Sequence, residues 1–174
     1  AGGVYTGSVP GQAASTILQF YVRAQDNLGA TADFPAAGPN SRALFKVNDG
    51  QGQNGGLHDF RIIMLTADSN LLHTPTNVMS NDRMGATVVY DDQHVYYDAG
   101  VRLKGSERGR NQSVRVGFNV EFDPTNLFRG VHESVAIDRS GAGNQFSQKE
   151  ILITHAIAHA GDIPGRYDDL IRVI

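Results

Sequence analysis

The ten residues SVRVGFNVEF, 113–122, alternate Val114, Val116, Phe118, Val120 and Phe122 with Arg115, Gly117, Asn119 and Glu121. A period of two over this length predicts a half-buried β-strand, ended by Asp123-Pro124. Upstream, Ala86–Tyr90 and Val95–Lys104 flank Asp91-Asp92-Gln93-His94, which predicts a β-hairpin. Together these segments predict a β-rich α+β domain built on adjacent antiparallel strands.

Further upstream, Phe60–Leu65 reads as a short buried strand. Thr66 or Asp68 can cap a short helix that runs through Leu71 and Leu72. The stretch 48–56 is rich in Asn, Asp, Gln and Gly and poor in apolar residues, so residues 49–56 are expected to link two modules. It lacks the acidic spacing of a calcium loop. Before it, Leu18, Phe20, Val22 and Ala24 alternate with Gln19, Tyr21 and Arg23, Asp26–Gly29 reads as a turn, and Ala43–Val47 as a second strand. Residues 1–48 are therefore expected to be the end of a β-sandwich module, and residues 57–174 a second, α+β domain.

Toward the other end, Ser147–Ala160 is the cleanest helix. Ser147 and Glu150 make a capping box, Ile153, Ala156, Ile157 and Ala160 make one apolar stripe, and Gly161 and Pro164 stop it. The last residues, Asp169–Ile174, break off inside a predicted strand, which leads us to expect a piece of a larger protein.

Composition narrows the chemistry. The 174 residues are 40% hydrophobic, enough for a core, and the net charge of −3 gives no global pull toward nucleic acid or membrane. Without cysteine there is no disulfide framework, thiolate zinc site or cysteine nucleophile. The longest apolar runs are too short to span a bilayer, and the opening AGGVYTGSVPGQ has neither the basic nor the apolar region of a signal peptide.

The strongest polar signal is the basic run Arg102, Lys104, Arg108, Arg110 and Arg115, interrupted by one acid, Glu107, with Gly105 and Gly109 inside it. Backbone N–H groups around such glycines can converge on an anion while guanidinium groups hold phosphate oxygens. The same residues also fit a solvated connection whose arginines pair with nearby acids. Neither a Walker loop nor GxGxxG is present. His155 and His159 stand one helical turn apart, but Ala156 occupies the glutamate position of HExxH. The pair is expected to be partly buried and to hold no structural zinc. Asp138 follows Val135-Ala136-Ile137 and is expected at a strand end, where either a functional acid or a turn acid fits. No G-x-S-x-G elbow or assignable carboxylate pair points to hydrolysis.

Two resemblances add to this reading. Phe20-Tyr21-Val22-Arg23-Ala24-Gln25-Asp26-Asn27-Leu28-Gly29 resembles a late strand of bacterial immunoglobulin-like or fibronectin-like modules. From about Phe60 onward the chain resembles the beginning of a spore-coat CotH-type domain. The residues that carry this are Gly100-Val101-Arg102-Leu103-Lys104-Gly105-Ser106, the strand at 113–122, Leu127-Phe128-Arg129-Gly130, Asp138-Arg139-Ser140, and the helix ending Ala160-Gly161-Asp162-Ile163-Pro164. Lys104 replaces the family's usual arginine, and Arg115 its usual lysine. The resemblance implies an incomplete, atypical protein-kinase-like N-terminal lobe in a secreted or cell-surface bacterial protein. The implied cofactors of the full parent are ATP and Mg²⁺, with Lys104, Gly105, Ser106, Arg108, Arg110 and Arg115 toward the nucleotide. The implied partners are other modules of the same larger chain, and surface or coat proteins. The family's catalytic and metal-binding aspartates follow the matched segments, so no catalytic residue is carried over, and the chain by itself is expected to be inactive. The alternative from another class is a non-catalytic structural or adhesive surface module.

Overall fold

The computed structural model describes residues 3–47, 50, 56–111, 116–139, 147–161, 163–164 and 168–174. In chain order the described elements are β1 (Ile17–Gln19), β2 (Val22–Gln25), β3 (Thr31–Phe34), β4 (Leu44–Lys46), β5 (His58–Ile63), α1 (Thr66–His73), β6 (Met84–Tyr90), β7 (His94–Lys104), α2 (Glu107–Arg110), β8 (Gly117–Glu121), β9 (Ser134–Ile137), α3 (Ser147–His159) and β10 (Ile171–Val173). The fold is β-rich with few helices. Its centre is a curled six-stranded sheet in the order β10-β5-β6-β7-β8-β9, antiparallel except where β10 lies parallel to β5.

The β6–β7 hairpin forms because Asp91 and Asp92 both accept left-handed backbone, φ 52° and 53°. Positive φ at both central positions of the turn Tyr90–Gln93, in a three-residue connection, matches the twist of the flanking strands. Gln93 N–H closes it on Tyr90 O at 3.1 Å. Between Ala86 and Val88 the register shifts, opposite Asp98, which has φ 54°. A bulge of this kind bends the strand and increases its twist. Beyond it β7 continues to Lys104 and gains β8 as its second neighbour, pairing Lys104 with Gly117.

Alternation sends Phe60, Ile62, Ala86, Val88, Tyr90, Tyr96, Val101, Leu103, Val120 and Ile137 to one face, where Leu72 of α1 and Val78 close over them. Phe122 and Phe128 complete an aromatic cluster there, with centroids 5.2 Å apart and Tyr96 5.1 Å from Phe122. Each such ring contributes about 1.5–3 kcal/mol by leaving water.

The opposite face is partly covered by a strap, residues 41–44. Asp98 accepts hydrogen bonds from Arg42 N–H at 2.5 Å and Ser41 Oγ at 3.0 Å. Thr87, 0% exposed, donates to Arg42 O at 2.5 Å and accepts from Leu44 N–H at 2.8 Å. Gly85 leaves the room that the Arg42 stem occupies on its way to Asp68, 2.9 Å away; an added Cβ would collide with that stem.

Where the sequence predicts the end of a β-sandwich, residues 17–46 form two antiparallel ribbons, β1 with β4 and β2 with β3. The single strand expected from Thr16 to Ala24 is divided at Phe20-Tyr21, because its halves take different partners. The turn at 26–29 forms as expected, with Asp26 Oδ1 accepting from Leu28 and Ala30 N–H at 2.9 Å each. In the second ribbon, Arg23 donates two hydrogen bonds to Asp33 and holds that carboxyl below its ordinary range. Most of the expected linker, residues 49 and 51–55, lies outside the described residues.

Two helical details differ from the sequence expectation. The N-cap of α1 is Leu65, without a side-chain cap bond; Asp68 instead sits in the first turn, where a carboxylate favours the helix dipole, and receives Arg42. The stripe of α3 is largely exposed: Ile153 is 58% exposed, Ala156 and Ala160 are exposed, and Ile157 is half-buried.

Thr87 and Asp98 serve the same strap, so their loss should be coupled. Thr87→Val and Asp98→Ala should each lower stability by about 1–3 kcal/mol, the cost of stranding buried hydrogen-bonding groups. The double variant should lose less than the sum. Urea denaturation of the four proteins checks this; additive losses would show that the strap is not held as a unit.

Candidate functional site

The end of β7 turns sharply. Gly105 has φ 104°, a backbone conformation that side chains rarely permit. Ser106 then starts the one-turn helix α2, and its carbonyl accepts Gly109 N–H at 2.8 Å and Arg110 N–H at 2.9 Å. The short helix in this connection has no sequence signal beyond Ser106 and Glu107.

Arg110 locks the turn in place. It is 7% exposed, and its guanidinium donates to Gly105 O at 2.8 Å, Ser80 O at 2.9 Å and Asn81 Oδ1 at 3.1 Å. A buried cation must be hydrogen-bonded, and a planar fork of five donors suits several convergent carbonyls. Arg110 therefore joins α2 to the end of β7 and to the segment after α1. Arg102 lies half-buried on the neighbouring part of β7 and reaches the same Asn81 oxygen at 3.3 Å.

Lys104 points elsewhere. Its Nζ lies 2.5 Å from Asp138 Oδ2, just past β9, two strands away. The intervening strand lets the lysine pass because the facing residue is Gly117. A Cβ at Gly117 would lie 2.9 Å from Ile137 O and 3.4 Å from Lys104 Cβ. Arg139 follows Asp138, and its guanidinium carbon lies 3.9 Å from where a Cβ of Gly109 would stand.

Lys104, Gly105, Ser106 and Arg108 thus share one exposed corner with Asp138 and Arg139. Arg110 underlies that corner, with its donors turned inward. Arg115 lies outside the described residues. Arg139 was absent from the basic run read in sequence; the β8–β9 pairing, not chain proximity, brings it in.

A second polar group sits at the other end of the sheet. His58 Nδ1 is 2.6 Å from Asp91 Oδ2, and Nε2 is 3.9 Å from Asp169 Oδ2. Its ring stacks on Tyr90 with centroids 5.4 Å apart. An open groove runs from there past His94 and Tyr96 to Asn126 and Arg129. Sequence reasoning passed over it because His58 and Asp91 meet only through the β5–β6 register. One wall is the turn at Asp123, whose carboxylate accepts from Thr125 Oγ1 at 2.5 Å and Thr125 N–H at 2.7 Å. These bonds hold that carboxyl below its ordinary range.

Compared with known proteins, the chain matches no family model, no curated protein and no solved structure. Among the described residues no group of three or more His, Asp or Glu converges as a metal site, and no helix is long and apolar enough to cross a membrane.

Two residues of the basic run should separate cleanly by mutation. Arg110→Ala should cost about 2 kcal/mol or more, because three carbonyl-type acceptors lose a buried charged donor. Lys104→Ala should cost under about 1 kcal/mol, since its ion pair is solvent-accessible, with 29% and 72% of the two side chains exposed. Thermal denaturation of both variants decides; equal effects would mean that Arg110 is not the anchor.

The Asp123 turn makes a pH prediction. A carboxyl with a depressed folded pKa contributes stability above its unfolded value, about 3.9, and loses it as pH falls through the folded value. Carboxyl-detected NMR titration should place Asp123 below ordinary aspartates, and Thr125→Val should move it back up. An unchanged midpoint in that variant would contradict the assignment.

Proposed function

We propose that residues from about 57 onward form the N-terminal part of a CotH-type, atypical-kinase-like domain in an exported multidomain bacterial protein, and that the corner at Gly105 is its phosphate-contacting loop. The observation that carries the reading is Lys104: a strand lysine crosses Gly117 to a carboxylate, Asp138, beside a glycine turn bordered by Arg108 and Arg139. Protein kinases likewise present a strand lysine, paired with an acid, to nucleotide phosphates. An ammonium serves phosphate as a compact charge, and guanidinium groups add directional donors.

The reading gives Lys104, Gly105, Ser106 and Arg108 the direct contacts and Arg110 the support beneath them. Arg115 keeps the place that the resemblance implies. ATP with Mg²⁺ would be the cofactors of the full parent. Phosphoryl transfer also needs metal-holding acids and a base that positions the nucleophile. In the family these follow the matched segments, so the share of the reaction read here at Lys104 and the Gly105 turn is phosphate binding. On this reading the domain stands beside other modules of a secreted or cell-surface protein, with surface or coat proteins as its partners; the immunoglobulin-like resemblance of residues 20–29 supports it.

A non-catalytic adhesive module is the second reading. It is favoured by the exposed apolar side chains of the N-terminal ribbons and turn, Val22, Leu28, Phe34 and Phe45.

Calorimetric titration with ATP and Mg²⁺ at low and high salt separates the two. The phosphate reading predicts weak binding that fades with salt, because exposed charge contacts are screened. Binding should be lost in Lys104→Ala and strengthened severalfold in Asp138→Asn, which removes the competing carboxylate. Unchanged binding in Lys104→Ala, or none at low salt, would leave the adhesive reading standing.

A further inference from the structure

On α3, the His155 and His159 rings face each other with centroids 4.1 Å apart and an interplanar angle of 38°. Both residues are exposed, not partly buried as the sequence suggested. His159 Nδ1 lies 2.8 Å from His155 O. A carbonyl oxygen only accepts, so Nδ1 of His159 carries the proton when the ring is neutral. The Nε2 lone pair is then left to bind a ligand. A backbone partner on one ring nitrogen is the usual way in which a metal-binding imidazole is oriented.

We propose that His155 and His159 form a two-imidazole surface site for an exchangeable transition-metal ion, best suited to Cu²⁺. Two nitrogens bound side by side at about 2.0–2.1 Å from one metal lie about 3 Å apart, a separation that facing rings on successive helical turns can reach. The helix holds both ligands, so little freedom is lost when the second one binds. Imidazole selects Cu²⁺, Ni²⁺ and Zn²⁺ over Mg²⁺, and among these the intrinsic order favours Cu²⁺. Water completes the coordination. Two protein ligands make the site labile, in keeping with the expectation that the pair holds no structural zinc. The inference does not depend on the phosphate reading, which concerns different residues and a different metal class.

The test is calorimetric titration of the whole chain with CuCl₂, NiCl₂ and MgCl₂ in a non-coordinating buffer and, for Cu²⁺, electron paramagnetic resonance. One Cu²⁺ per chain should bind with a two-nitrogen signature, Ni²⁺ more weakly, and Mg²⁺ not at this site. His155→Ala and His159→Gln should each weaken Cu²⁺ binding at least tenfold, with helix content unchanged by circular dichroism. His132→Ala should leave it as in the parent protein. The proposal fails if neither α3 variant weakens binding, if His132→Ala abolishes it, or if the spectrum shows a single nitrogen.

Discussion

A buried cation has to be given acceptors, and Arg110 meets that requirement in a way that shapes the whole basic corner. Its donors go to the carbonyls of Gly105 and Ser80 and to the Asn81 side chain. Those partners belong to the end of β7 and to the segment after α1, so the guanidinium determines where α2 lies. With α2 held, Lys104 can turn the other way, over Gly117 to Asp138. Two basic side chains six residues apart thereby have opposite roles, one inward and architectural, the other outward and available to solvent.

A similar economy operates at the β6–β7 bulge. Asp98 sits in left-handed backbone where the register shifts, and its carboxylate takes Arg42 and Ser41 from the strap. Thr87, on the neighbouring strand, uses its single hydroxyl both as donor and as acceptor. The irregularity that helps curl the sheet is thus also where the N-terminal segment docks. Residues 41–44 belong energetically to the six-stranded sheet even though they precede the stretch that reads as a linker.

Much of the sheet was legible because its rules are local. The Asp91-Asp92 turn and the alternation on β8 follow from period two and from residues that accept positive φ. What was not legible depends on distant pairing. The parallel docking of β10 on β5, the Arg172–Asp59 contact it brings, and the His58–Asp91–Asp169 group all need a register that no short window contains. The basic run was visible as charge, but charge alone did not distinguish Arg110 from Lys104. Burial did, and burial follows from the path of α2. The stripe of α3 misled in the opposite sense: an apolar period predicts that a helix can bury a face, not that the described chain supplies something to cover it.

The central functional claim is that the exposed corner at Gly105, and not the groove beside His58, meets phosphate. Amide chemical-shift mapping with inorganic pyrophosphate tests this residue by residue, with no need for turnover. The largest changes should fall on Lys104, Gly105, Ser106 and Arg108, with Asp138 responding as its ion pair opens. Changes centred on His58, His94 and Asn126, or scattered evenly over the surface, would contradict the account.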